Sequence, residues 1–337
     1  MTVASNPLVS VVVIGRNEGP RLVRCLESIA AMRQPGFGVE VIYVDSDSTD
    51  GSPERAAELG AQVIPVHPER PSAALGRNAG WQAARGEFVL FLDGDTVLHP
   101  DFVVTALAAM NAPGVAVVWG HRREMHPEHS LYNRVLDLDW VYPPGPSEFC
   151  GGDALMRRSV LEAVKGFDAT LIAGEEPELC RRIRARGHII QHLDAPMTLH
   201  DLAITRFAGY WKRAFRAGHA YAEVAGRYRH SPDPLWLADA RRNLTRGSLL
   251  LASPLLLLAA FLWAPLWLPV LMLLAGVAVI ARTAWRCRWK DANRLTCLLY
   301  ALHSQFQQIP ILFGQISQRR DARRGRRRRL IEYKGNA

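Results

Sequence analysis

Residues 88–92, Phe-Val-Leu-Phe-Leu, are five consecutive apolar positions rich in β-formers. A strand without a polar face has to be covered on both sides, so helices must lie on both faces of its sheet. The run stops at Asp93-Gly94-Asp95. In open α/β sheets the ligand crevice lies beyond the carboxyl ends of the strands, which is where Asp93 and Asp95 fall. No basic residue adjoins them in sequence, and two such carboxylates call for a divalent cation or a ligand donor. A polar turn uses the same residue types, so this stretch alone leaves metal site and turn equally open.

The preceding residues repeat the pattern. Residues 9–14 read as a buried strand that stops at Gly15-Arg16-Asn17-Glu18-Gly19-Pro20, and Leu22, Leu26 and Ile29 then recur at helical spacing. Residues 39–44 form a second strand ending at Asp45-Ser46-Asp47, and Ser52-Pro53 opens a short helix. A strand over 61–66, a helix over 72–84 and the strand at 88–92 complete the alternation, which predicts an α/β fold with a largely parallel, doubly wound sheet. Neither G-x-G-x-x-G nor a Walker A pattern is present, so a dinucleotide or P-loop reading fails. Arg16, Asn17 and Glu18 after the first strand, and Asp45 and Asp47 after the second, are candidates for holding a nucleotide; each is equally explained as turn chemistry.

The series Val9 to Glu18, Val-Ile-Tyr-Val-Asp-Ser-Asp-Ser-Thr-Asp-Gly-Ser at 41–52, Gly76-Arg77-Asn78-Ala79-Gly80 and Leu92-Asp93-Gly94-Asp95 resembles the family 2 glycosyltransferases of the GT-A fold. The likeness runs in matching order over roughly residues 8–200. It implies a Rossmann-like mixed, mostly parallel sheet and a nucleotide diphosphate sugar donor. It assigns Asp45 to the nucleobase, Arg77 to the nucleotide, Asp93 to ribose or sugar, and Asp95 to Mg²⁺ or Mn²⁺ on the diphosphate. Hard oxygen ligands suit those ions, which stabilise a departing diphosphate without proton transfer. Gly152 and Asp153, before Ala154-Leu155-Met156-Arg157-Arg158, fall on the acceptor side. Where the family has Glu-Asp, this chain has Glu175-Glu176; the resemblance makes Glu176 the general base, with Glu175 the runner-up, although acids opening a helix are also stabilised by its dipole. His200 takes the place of a third metal ligand.

The C-terminal part is different in character. Residues 206–229 carry aromatic and small residues at helical spacing with arginines around them, as expected for an interfacial amphipathic helix; Tyr210-Trp211-Lys212-Arg213 could instead cover a diphosphate. Residues 249–281 are 33 positions without a charge. One straight helix of that length would reach about 50 Å, beyond a hydrocarbon core of about 30 Å, and Pro265 and Pro269 offer a turn. A two-helix hairpin, spanning or re-entrant, with basic flanks on the cytoplasmic face is expected. Residues 295–316 read as one interfacial or packing helix. Eight arginines follow within 319–329; after membrane segments, anionic lipid is a better partner for them than nucleic acid. Residues 282–337 carry a net +11 of the chain's +9, leaving −2 for the first 281. Five cysteines without paired spacing argue against a disulfide framework or a zinc site, and no basic leader precedes the first strand.

Four segments follow: a catalytic domain over 1–205, an interface helix and linker over 206–247, a hairpin over 248–282 and a basic tail over 283–337. The expected activity is inverting, metal-dependent sugar transfer to a hydroxyl acceptor, lipid-linked or on a polysaccharide. The competing expectation is a non-catalytic nucleotide-binding membrane scaffold.

Overall fold

The computed structural model describes residues 6–326; Arg327, Arg328 and Arg329 of the basic tail therefore lie outside the described residues. The chain divides into two compact units. One holds the residues up to Met125 with Tyr142–Leu202, and the other holds His126–Val141 with the residues from Ala203 onward.

The first unit begins with strand β1 (Leu8–Gly15), helix α1 (Pro20–Ala30), β2 (Gly38–Asp45), α2 (Ser52–Glu58), β3 (Gln62–Pro65), α3 (Ala73–Ala83) and β4 (Phe88–Asp93). These strands pair in parallel, in the order β3-β2-β1-β4. Pro20 occupies the first turn of α1, where its missing N–H costs nothing, and Ser72 caps α3 by accepting from the Leu75 amide at 3.3 Å. Val11, Val12, Val13, Leu90, Phe91 and Leu92 are fully buried, as strands covered on both faces require.

The other half of the sheet is mixed. Strands β5 (Thr96–Leu98), β6 (Val115–Glu124), β7 (Gly145–Pro146), β8 (Ala154–Arg157) and β9 (Ile189–His200) extend the order through β4-β8-β6-β9-β5, with β7 beside β9. β8 runs antiparallel to β4 and β6, while the long β6–β9 ladder is parallel and bulged near Trp119–His121. The sequence over 188–201 reads as a short strand-like run at 188–193 followed by a separate segment at 197–201, but it forms one bulged strand. Helix α4 (Phe102–Met110) packs on this half; α5 (Leu131–Asp137) leaves for the second unit, and α6 (Arg158–Val164) and α7 (Glu175–Arg184) return. Arg157 and Arg158 are structural clamps: Arg157 donates to the carbonyls of Val115 and Met110, and Arg158 to that of Gly86.

The second unit is helical: α5 with α8 (Phe207–Arg227), α9 (Leu237–Trp263), α10 (Trp267–Arg286), α11 (Arg294–Phe306) and α12 (Gln308–Arg323). The single helix expected at 295–316 is two, broken at Gln307; Pro310 falls in the first turn of α12, where no backbone donor is lost. The amphipathic face of α8 lies largely against α12 rather than open for a membrane. The helices meet backbone to backbone: a Cβ on Gly218 would sit 2.1 Å from the Ile311 carbonyl oxygen, and one on Gly314 2.1 Å from that of Phe215. Tyr210 shares a 2.8 Å hydrogen bond with His303 Nδ1, and Arg213 pairs with Asp139 at 3.7 Å, so both are engaged within this unit. Around Asp139, burial opposes the charge, but His303, Arg213 and Lys290 outweigh it and hold the carboxyl below its ordinary pKa.

Helices α9 and α10 are long and apolar enough to cross a membrane, and their side chains face outward: Leu255 is 72% exposed and Trp263 82%. The turn between them is Ala264–Leu266, with Pro269 inside the first turn of α10. The uncharged limbs, 247–263 and 267–281, measure about 26 and 22 Å at 1.5 Å per residue, against a hydrocarbon core of about 30 Å.

Gly218→Ala or Gly314→Ala is expected to lower the unfolding free energy by about 1–3 kcal/mol through overpacking, whereas Gly226→Ala in the same α8, with open space at its Cβ, is expected to cost nothing; denaturant unfolding in detergent reads both. Asp139 contributes stability that is full above the ordinary carboxylate range and is lost as pH falls through its lowered pKa. The melting temperatures of wild type and Asp139→Asn should therefore differ at neutral pH and converge in acid.

Candidate active site

Register brings the polar strand ends of the first unit to one sheet edge: Gly15 lies opposite Asp45, and Ile14 opposite Asp93. The two loops nearest β1 and β2 clasp each other. Asn17, with φ +55°, donates its backbone amide to Ser48 Oγ at 2.8 Å, and its side-chain oxygen accepts from the Thr49 amide at 2.8 Å. Asn tolerates this left-handed conformation better than most residues. Asp45 is buried and accepts from the Tyr43 hydroxyl at 2.9 Å and the Ser48 amide at 2.8 Å. Burial and the neighbouring Asp45 push the Tyr43 hydroxyl pKa up, so it stays a donor. Glu18 pairs with Arg21 at 3.0 Å, Asp47 (φ +69°) with His67 at 3.1 Å, and Arg16 is exposed on the loop.

Beside these loops lies a cluster of buried charge. Arg77, on α3, donates from Nη2 to Asp93 Oδ1 at 2.8 Å and from Nη1 to Glu175 Oε1 at 3.0 Å. Burial works against its charge, but Asp93, Glu175 and Asp153 outweigh that and raise its pKa further. Arg122, on β6, stands 3.5 Å from Asp93 and 3.7 Å from Asp153. The acidic pair that has no basic neighbour in sequence therefore has two in space, because α3 and β6 converge on the end of β4. Asp153 accepts from the Asp93 amide at 3.0 Å and the Thr198 hydroxyl at 2.9 Å; its burial raises its pKa despite Arg122. A Cβ at Gly152 would lie 2.6 Å from Arg77 Nη2 and 3.1 Å from Asp93 Oδ2, so any other residue there would displace that pair. The Gly94 amide donates to the Ile14 carbonyl at 2.8 Å, fixing the turn between the two aspartates.

Asp95 and His200 are both buried, with Asp95 Oδ1 3.4 Å from His200 Nε2. They meet because Thr96 pairs with His200 across β5 and β9. One ligand atom each from Asp93, Asp95 and His200 lies within 4.8 Å of the others. Glu176 is turned elsewhere. Its Oε1 accepts from the Cys150 amide at 2.8 Å and from the thiols of Cys180 and Cys150 at 3.0 and 3.4 Å.

A sequence profile described as Glycosyl transferase family group 2 matches residues 88–302, more than half of the chain, and one described as Glycosyl transferase family 2 matches residues 10–164. The chain belongs to the family 2 glycosyltransferases. It is 24% identical over 311 residues to Glycosyltransferase AglE of Haloferax volcanii, covering 87% of this chain and 97% of that protein. It is 35% identical over 172 residues to Putative glycosyltransferase EpsH of Bacillus subtilis, 47% of this chain and 49% of that one. The solved structure of the mannosyltransferase PcManGT from Pyrobaculum calidifontis, in complex with GDP-Man and Mn²⁺, superposes with a TM-score of 0.68 over 94% of this chain and 88% of that chain, at 19% identity, and shares its fold.

For a family 2 glycosyltransferase the donor set fits a hard divalent cation. Asp93 and Asp95 offer carboxylate oxygens and His200 one imidazole nitrogen, a set free of sulfur that suits Mg²⁺ or Mn²⁺. Arg122, Tyr43 and Thr198 escaped the sequence reading. Tyr43 had a usable signal, lying two residues before Asp45 on the same face of a strand; Arg122 had none. Removing Arg77 takes the paired cation from buried Glu175 and leaves Asp93 with Arg122 alone, so Arg77→Ala is expected to cost about 3 kcal/mol of unfolding free energy. Arg77→Lys should recover only part of it, because an ammonium cannot fork between Asp93 and Glu175.

Proposed function

We propose that the chain transfers a sugar, with inversion, from a nucleotide diphosphate sugar to the hydroxyl of a lipid-linked or polysaccharide acceptor, in a metal-dependent reaction. The reading rests above all on the convergence of Asp93, Asp95 and His200 at the sheet edge. Asp45, held by Tyr43 and the Ser48 amide, presents an acceptor for a nucleobase donor, and the Arg16–Glu18 and Asp47 loops border the nucleotide. Asp95 and His200 would hold Mg²⁺ or Mn²⁺, which when bound neutralises charge developing on the departing diphosphate. Arg77 is a positioning residue: by holding Asp93 and Glu175 it sets the sugar-facing carboxylate and the start of α7 at once.

Glu176 is the base. It takes the proton of the acceptor hydroxyl as that oxygen bonds to the anomeric carbon, while the bond from that carbon to the diphosphate oxygen breaks on the opposite face. Glu175 is less suited, since it is buried and ion-paired with Arg77, whereas Glu176 is partly exposed and its hydrogen bonds, to neutral donors, all fall on Oε1. Gly152 and Asp153 border the acceptor. The exposed apolar hairpin of α9 and α10 supports attachment to a membrane, its basic flanks on the cytoplasmic side, with anionic lipid headgroups as partners of the arginines on α12.

Asp95→Ala is expected to lower Mg²⁺- or Mn²⁺-dependent release of nucleoside diphosphate by about a hundredfold or more, the equivalent of several kcal/mol of lost charge stabilisation. A panel of sugar nucleotides supplies the assay; undiminished release would remove the metal assignment. Glu176→Gln should keep donor affinity by calorimetry and lose about 10²–10⁴-fold in transfer. The product's anomeric configuration, read by NMR, should be opposite to the donor's.

A further inference from the structure

The three groups gathered at the start of α7 are unlike those of the oxygen-rich site. Cys150 Sγ and Cys180 Sγ stand 3.5 Å apart, and Glu176 Oε1 lies 3.4 Å from the first and 3.0 Å from the second. Both cysteines are buried and unbridged, and Glu176 is partly covered. Around a tetrahedral zinc ion with sulfurs at about 2.3 Å and an oxygen at about 2.1 Å, sulfur–sulfur and sulfur–oxygen separations are about 3.8 and 3.6 Å. The cluster would need to open by only a few tenths of an ångström to enclose such an ion. The parts come from a loop and a helix thirty residues apart, a distance at which cysteine spacing carries no signal.

We propose that Cys150, Cys180 and Glu176 form a binding site for one thiophilic divalent cation of the zinc class, whose occupancy withdraws Glu176 from the acceptor and halts transfer. The inhibitory half rests on the reading of Glu176 as the base. Softness separates this site from the one at Asp93, Asp95 and His200: thiolates select zinc-like ions, and carboxylates with one imidazole accept Mg²⁺ or Mn²⁺. Binding breaks two S–H bonds, forms two sulfur–metal bonds and one oxygen–metal bond, and releases two protons to solvent, with no change of oxidation state. Burial pushes the Cys150 thiol up to about 11, so the protons leave only when the cation displaces them, and Arg77 favours the resulting thiolate. Three protein donors leave the fourth position of a tetrahedral ion to solvent.

The test uses the full chain in detergent or nanodiscs under a phosphine reductant, titrated with Cd²⁺. One Cd²⁺ per chain, a thiolate-to-cadmium ultraviolet charge-transfer band and two protons released are expected. The band should vanish in Cys150→Ser and in Cys180→Ser and persist in Cys287→Ser, which tests the other buried cysteine pair. Absence of a band, or a band lost only in Cys287→Ser, overturns the site. X-ray absorption of the zinc-loaded wild type supplies a measurement independent of variant folding: two sulfurs in the shell support the site, and a shell of oxygen and nitrogen alone overturns it. Transfer by the loaded enzyme should fall to the level of Glu176→Gln with donor affinity intact, and a chelator should restore it. A band with undiminished transfer overturns the inhibitory half and removes Glu176 from the base role. Loss of transfer in Glu176→Gln without any cadmium band leaves the base standing and overturns the site.

Discussion

Arg77 holds the polar sheet edge of the first unit together. Its guanidinium is buried, which is costly for any charge, and the cost is met by two carboxylates reached with separate nitrogens: Asp93 at the end of β4 and Glu175 at the start of α7. These belong to elements eighty residues apart, one carrying the Asp-x-Asp turn and the other opening the helix with the second glutamate. A planar, forked cation joins them at fixed spacing where an ammonium would not. Gly152 completes the arrangement by having no side chain where one would strike both the guanidinium and Asp93. The edge is thus a small electrostatic lattice, with the Asp95–His200 pair lying beside it.

The parallel half of the sheet was open to reading from sequence because each strand is a continuous apolar run that stops abruptly at polar residues: Val9 to Ile14 before Gly15, Val39 to Val44 before Asp45, Phe88 to Leu92 before Asp93. The hairpin was equally open to reading, since 33 uncharged residues have few ways to avoid water. The antiparallel half was obscure. β5 is three residues long and β8 four, too short for alternation to register, and β9 carries polar residues through its bulge. Arg122 follows a glycine and a histidine in a segment with no period at all. The helix expected at 295–316 failed for a different reason: Pro310 is compatible with both a kink and a fresh start, and only the break at Gln307 decides it.

Packing chemistry divides the two units. The first relies on large apolar side chains sandwiched between sheet and helices. The second relies on close backbone approach, with Gly218 and Gly314 letting α8 and α12 touch directly, and on a polar knot in which Asp139 gathers Arg213, His303 and the Tyr300 hydroxyl. Small residues at helix crossings are the usual solution where neighbouring surfaces are too apolar to drive association by burial alone. The second unit is built that way next to the two helices that present apolar side chains to their surroundings.

The uncharged limbs of the hairpin, about 26 and 22 Å long, are the feature with the widest reach. An uncharged limb shorter than the hydrocarbon core is accommodated by thinning of the bilayer, by snorkelling of its flanking arginines or by stopping within the core, and each ångström of mismatch carries a fraction of a kcal/mol. For a hairpin that enters a bilayer, residence is then graded by membrane thickness: thin, disordered regions accept it at little cost, and thick, ordered ones expel it. If the proposed attachment holds, the same two helices would also sort the chain laterally, toward places where lipid packing is loosest.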